Sequence, residues 1–185
     1  MEGNMIRGPF AICEGSILKM GSRIYGATTI GPYCVAGGEI KNSVLFGYSN
    51  KAHDGYLGDS VIGEWCNLGA GTSNSNVKNT GTEVKYILDK DLPPVPAGNK
   101  GGLLMGDYSR TAINTSFNTA SIVGVCCNIF GQNFQEKFIQ SFSWGNERYI
   151  FDKALKDIQN WKSMKQKSLS DEEKQLLHQL YTSLQ

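Results

Sequence analysis

The sequence predicts a mainly β fold, a parallel β-helix of hexapeptide repeats with an inserted loop and a C-terminal helical tail. Apolar or small residues recur every six positions at Ile6, Ile12, Leu18, Ile24, Ile30 and Ala36. Glycines recur beside them, at Gly8, Gly15, Gly21, Gly26, Gly31 and Gly37. The same step returns at Met105, Thr111, Phe117, Val123 and Ile129. A helix requires apolar spacing near 3.6 and an ordinary strand near 2, and neither template sustains a period of six.

Residues 1–145 carry the hexads. Each supplies a short strand and a turn, with the aliphatic residue directed into a prism, and three hexads complete one triangular coil. Leu57, Ile62 and Leu68 continue the pattern with one step of five. A coil cannot bury its inner face alone, so stacking and capped ends must supply stability. Residues 73–103 break the period and are rich in Pro and Gly, which predicts an insertion loop on one face of the solenoid. From Asn146 the composition changes, and 146–185 read as a helical tail. Ser170 with Glu173 forms a capping-box pattern, and Leu176, Leu177, Leu180, Tyr181 and Leu184 follow at helical spacing. Such a tail is expected to cover the open end of the prism or to pack on a neighbour, with His178 as a surface or packing residue.

The bulk numbers exclude several classes. With 18 Lys and Arg against 17 Asp and Glu, the chain has no electrostatic footprint for nucleic acid or an anionic membrane. No 18-residue apolar run is present, and the N-terminus lacks the features of a signal peptide, so a cytoplasmic location is expected. The five cysteines contain no C-x-x-C pair, which favours reduced, buried thiols over disulfides or a zinc site, and no metal is expected. The run Leu68–Thr72 is Gly-rich without the Gly-Lys-Ser/Thr of a phosphate loop. Its small residues suit close backbone approach, between coils or to a thin ligand.

If 18 residues make a coil, Arg23 and Lys41, which are 18 apart, stack in adjacent coils and favour an anion such as a phosphate before them. Two solvated surface charges are the alternative. Hexapeptide repeats of this kind resemble those of left-handed parallel β-helix proteins, and the resemblance implies both that handedness and a homotrimer. His53 follows Lys41 by 12 residues and is expected on a different side of its own prism. A site shared between subunits would bring its imidazole towards the cations, where it can take a proton from an attacking amine or hydroxyl. The alternative is a histidine merely accommodated in a coil.

The stretch HDGYLGDSVIGEWCNLGAGTSNSN, with IYGATTIGPY, INTSFNT and FSWG in order around it, resembles the acetyltransferase half of bifunctional UDP-N-acetylglucosamine pyrophosphorylase/glucosamine-1-phosphate N-acetyltransferases. It looks closest to an alternate bacterial branch of sugar nucleotidyltransferases. The resemblance covers residues 3–145. It implies acetyl transfer from acetyl-CoA to the amine of an amino-sugar 1-phosphate. His53 then matches the catalytic base, and Arg23, Lys41, Tyr56, Asn67 and Asn76 match substrate-binding residues. Ala70 and Gly131 match the acetyl-CoA site. Thr82 stands where the family has a further lysine, and Ile113 where it has a serine. The pyrophosphorylase half has no counterpart here. A non-catalytic trimerisation or regulatory module is the competing expectation.

Overall fold

The computed structural model describes every residue except Met1, Lys90, Gln132 and Gln185. It is a parallel β-solenoid flanked by two helices. Its first face stacks Met5–Arg7, Arg23–Tyr25, Glu39–Lys41 and Tyr56–Gly58 in parallel. Ser73–Asn74 continues that face, because Ser73 Oγ accepts from Tyr56 N at 3.1 Å and Asn74 Oδ1 accepts from Gly58 N at 2.9 Å. Ser116–Phe117 follows, and Phe134 bridges to Ser116. The second face holds seven strands, from Phe10–Ile12 to Phe138–Ile139. The third face runs from Ile17–Leu18 through Val35–Ala36 and Asn50–Lys51 to Asn67, Arg110–Thr111, Asn128–Ile129 and Ser143–Trp144.

The inward residues of the three faces form one apolar column that includes Leu18, Ile24, Ile30, Ile40, Leu45, Leu57, Ile62, Phe117 and Ile129. Burying each such side chain contributes about 1.5–3 kcal/mol, which is the physical content of the six-residue period.

The coils are not uniformly 18 residues long. Met5 pairs with Arg23, 18 residues on, but Arg23 pairs with Glu39, 16 on, and Glu39 with Tyr56, 17 on. The shortening occurs at Gly37–Gly38, where the turn is tight. Gly38 has φ +70°, and a Cβ there would lie 2.6 Å from the His53 carbonyl oxygen.

The corner between the second and third faces carries a residue in the left-handed region in coil after coil, namely Tyr33, Tyr48, Trp65, Tyr108, Cys126 and Phe142. Their rings stack, Tyr33 on Tyr48 at 5.1 Å and Tyr48 on Trp65 at 4.3 Å between centroids. Behind this ladder Ser16, Cys34, Ser49, Cys66, Ser109 and Cys127 alternate. Each serine Oγ accepts from the backbone N–H of the cysteine in the next coil, at 2.9 Å in all three cases. The cysteines are reduced. Burial pushes the Cys66 thiol up to about 12 and raises Cys34 and Cys127. Cys126 and Cys127 are both buried, Cys126 beneath the tail.

That tail consists of α1 (Phe151–Ser163) and α2 (Asp171–Ser183). The capping box is formed as the sequence predicts, with Ser170 Oγ accepting from Glu173 N and Glu173 Oε2 from Ser170 N. Its location differs from expectation. The tail folds back along the side of its own prism, not over the open end. Ala154, Ile158, Leu169 and Leu177 pack on Trp65, Tyr108, Cys126 and Phe142. The aromatic ladder supplies an apolar stripe of the right length for α1. Lys162 lies 5.2 Å from the Trp65 ring centre and is ion-paired to Glu173, which also accepts from Tyr108 Oη at 2.7 Å. His178 is exposed, its ring against Phe151.

Ser73 and Asn74 are still in coil register, so the excursion from the solenoid begins at Ser75. It contains a hairpin of Lys85–Tyr86 with Val95–Pro96, anchored by the buried Val84, and the chain re-enters the core at Leu103. Among the described residues, no helix is long and apolar enough to cross a membrane.

Candidate functional site

His53 lies in the turn Ala52–Gly55, which links the third face to Tyr56–Gly58 on the first. Because Tyr56–Gly58 pairs directly with Glu39–Lys41, His53 stands at an edge of the face that carries Arg23 and Lys41. The expectation that it lies on another side of the prism is corrected. The Gly37–Gly38 shortening precedes Lys41 and does not alter the spacing from Lys41 to His53; the third face ends at Lys51, so residues 52–55 already turn onto the first face at Tyr56.

The same shortening overturns the stacking of Arg23 on Lys41. Outward residues alternate along a strand, and two outward columns result. One runs Met5, Arg23, Glu39, Tyr56; the other runs Arg7, Tyr25, Lys41, Gly58. Both cations remain on one face, in neighbouring columns. Glu39 lies between them. Its carboxylate is 3.5 Å from Arg23 Nε and accepts from Tyr25 Oη at 2.6 Å. That hydrogen bond, with some burial, pushes the Tyr25 phenol up to about 12. Among the described residues, no carboxylate comes within ion-pairing distance of Lys41.

Tyr56 leans over Gly58, where a Cβ would lie 2.2 Å from its hydroxyl oxygen. That oxygen accepts from Asn76 Nδ2 at 3.1 Å. Asn76 also donates to Asp59, whose other oxygen accepts from Asn42 Nδ2 at 2.7 Å. Burial, and then the Asp59 carboxylate, hold the Tyr56 phenol above its ordinary pKa, so it is neutral and free to donate. His53 and the Tyr56–Asn76–Asp59 network thus flank opposite edges of the cationic face.

Ala70 occupies the turn above that of His53. Gly71 N donates to Asp54 O at 2.9 Å, and Asn114 N donates to Ala70 O at 2.7 Å. Ile113 and Gly131 lie in the next turns before the first face, so His53, Ala70, Ile113 and Gly131 follow one edge. Ala70 is half-buried, Gly131 is exposed and Ile113 projects into solvent. Asn67 is apart from this set. It lies on the third face and accepts from Asn50 Nδ2 at 3.4 Å, while Lys165 of the tail donates to Asn50 Oδ1 at 3.3 Å. Lys78 and Lys85, the nearest lysines to Thr82, contact Glu83 within the excursion. Among the described residues, no group of three or more His, Cys, Asp and Glu is placed to hold a metal ion.

Sequence reasoning missed three residues here: Glu39, Asp59 and Lys51. A signal for Lys51 existed, since stepping by six from Leu45 to Leu57 lands on it.

No family model matches the chain. Several proteins are similar to part of it. A "Bifunctional protein GlmU" from Methanocaldococcus jannaschii is 32% identical over 117 residues, 62% of this chain and 28% of that protein. One from Methanococcus maripaludis strain S2 is 34% identical over 107 residues, 55% of this chain and 26% of that protein. A "Bifunctional sugar-1-phosphate nucleotidylyltransferase/acetyltransferase" from Sulfurisphaera tokodaii is 35% identical over 92 residues, 50% of this chain and 23% of that protein. The aligned part spans only about a quarter of the length of these curated relatives.

Proposed function

From a parallel β-solenoid whose similarities fit the acetyltransferase domain of such bifunctional proteins, we propose that this chain is an acetyl-CoA-dependent N-acetyltransferase acting on an amino-sugar 1-phosphate resembling glucosamine 1-phosphate. The reading places it in nucleotide-sugar and cell-envelope biosynthesis, in the cytoplasm. The observation that carries it is the position of His53 at the edge of a face bearing Arg23 and Lys41.

Arg23 and Lys41 hold the phosphate, Arg23 exchanging part of its contact with Glu39 for the ligand. Tyr56 and Asn76 hydrogen-bond the sugar hydroxyls and fix the amine towards His53. The amine attacks the thioester carbonyl of acetyl-CoA, and the neutral imidazole takes the proton that nitrogen loses. The tetrahedral intermediate then expels the thiolate, which leaves as CoA thiol with the imidazolium's proton. General-base assistance of this kind is worth roughly 10²–10⁴ in rate. Ala70 and Gly131 leave room along the His53 edge for the narrow pantetheine arm, which the exposed Ile113 flanks.

Asn67, on the third face, joins this set only if it comes from a second subunit, which is why the reading includes a homotrimer. An outward column on the second face supports that assembly. Ala11, Thr29, Val44, Val61, Leu104, Ile122 and Phe138 stand in register there. The tail lies against the ladder corner and part of the third face, which leaves the first face, the second face and the half-buried Asn67 accessible to a neighbour.

Purified protein incubated with acetyl-CoA and glucosamine 1-phosphate should release CoA thiol in step with N-acetylated sugar phosphate. Protein that is trimeric by light scattering but releases no thiol above background would contradict the enzyme reading and favour a non-catalytic trimerisation or regulatory module. A stable monomer would remove the shared site.

A further inference from the structure

Lys51 occupies a position that the repeat reserves for an aliphatic side chain. Along the third face the inward column runs Leu18, Ala36, Lys51, Leu68, Thr111 and Ile129. Lys51 is 1% exposed and ranks among the largest fully buried side chains of the chain. A buried ammonium is costly unless its hydrogens are used. Its Nζ donates to the carbonyl oxygen of His53 at 2.5 Å and to that of Gly37 at 3.3 Å. Among the described residues, no carboxylate lies within ion-pairing distance of it. Asp54 acts on it only through space, favouring the charged form, while Arg23 disfavours it.

These two acceptors belong to stacked turns at one corner. The Gly37–Gly38 turn shortens the coil, and the 52–55 turn carries His53. Within the latter, Asp54 O accepts from Gly71 N and Gly55 O from Glu39 N, both backbone donors in neighbouring coils. His53 O takes its donor from inside the prism instead. The small Ala36, next below Lys51 in the column, leaves room for the long stem.

Resting on the proposed role of His53 as base, we infer that Lys51 is a positioning residue, tying the imidazole-bearing turn from within the solenoid to the Gly37 turn below it. Lys51 touches no substrate in this account. It acts through the His53 backbone, fixing where the ring emerges at the edge of the cationic face.

Lys51→Met keeps the length and apolar bulk of the stem and removes the donor. The expected result is a melting temperature equal to or above that of the parent and a KM for the sugar phosphate within twofold. The kcat should fall about tenfold, the scale on which catalytic geometry responds to small displacements. The His53 ring signal in the proton NMR spectrum should move while that of His178 stays. An unchanged kcat with an unchanged His53 signal would overturn the inference. So would an equal loss of kcat explained by a lowered melting temperature. If the variant fails to fold, the parent protein still decides, because the ¹⁵Nζ protons of Lys51 should be protected from exchange and unprotected protons would contradict the bond. Loss of activity in His53→Ala with full activity in Lys51→Met would sink this inference alone. Full activity in His53→Ala would instead sink the reading on which it rests.

Discussion

Arg23 and Glu39 face each other in register on adjacent coils, with the guanidinium Nε 3.5 Å from the carboxylate. Both groups are partly exposed, so the pair contributes little to stability, about 0–1 kcal/mol. Its consequence is for the ligand. An anion arriving before Arg23 meets a carboxylate already there. Glu39→Gln should therefore leave the denaturation midpoint nearly unchanged and lower KM for the sugar phosphate two- to fivefold, by steady-state kinetics. An unchanged or raised KM would remove Arg23 from the phosphate site.

The same substitution has an optical signature. The Tyr25 phenol is held up at about 12 chiefly by its hydrogen bond to the Glu39 carboxylate. With a neutral amide at position 39 it should ionise closer to the ordinary value near 10. Ultraviolet difference titration of Glu39→Gln against the parent should show one more tyrosinate between pH 10 and 12. Superimposable curves would contradict the bond.

Lys51 makes a prediction about stability and pH. Burial lowers its ammonium from 10.5 to about 8 in the folded chain. Between those values the unfolded chain holds a proton that the folded chain lacks, so unfolding free energy rises with pH through that window. Below about 8 both states are protonated and the desolvation cost is fully present. Relative to Lys51→Met, the parent should gain about 3 kcal/mol between pH 8 and 10.5. Taking the difference removes the tyrosines, which act oppositely above 10. Denaturant melts of both proteins at pH 7, 9 and 10 read it directly, and parallel curves would mean that the amine is not desolvated.

The tail is held to the prism by Glu173, which accepts from Tyr108, pairs with the buried Lys162 and completes the capping box. Glu173→Ala strands Lys162 and should cost about 3 kcal/mol, against about 1 kcal/mol for Tyr108→Phe. Equal and small costs would mean that the tail docks through apolar contacts alone.

Of the five cysteines, Cys13 is exposed and the other four are buried. A thiol reagent should therefore titrate one sulfhydryl per native chain quickly and the remaining four only on unfolding.

Much of the fold was readable because the inward positions recur every six residues and only aliphatic or small side chains suit most of them. The capping box was readable because Ser170 and Glu173 are local in sequence. Coil length was not. The glycine pair at 37–38 removes residues from one turn, and no periodic template reveals how many. This single feature displaced Lys41 from above Arg23. His53 was misplaced because a count of 12 from Lys41 does not reveal that the third face ends at Lys51. Lys51 was hidden by its charge, although its place in the count marks it as inward. The tail's docking surface was hidden because Tyr48, Trp65 and Tyr108 lie far apart in sequence and meet only when the coils stack.

His53, at the edge of the Arg23 and Lys41 face, is the proposed base. Steady-state acetylation of glucosamine 1-phosphate by His53→Ala, measured beside the parent at saturating acetyl-CoA, tests it most directly. The expected kcat is at least about 100-fold lower, with KM for the sugar phosphate within a few-fold. A kcat equal to that of the parent would contradict it.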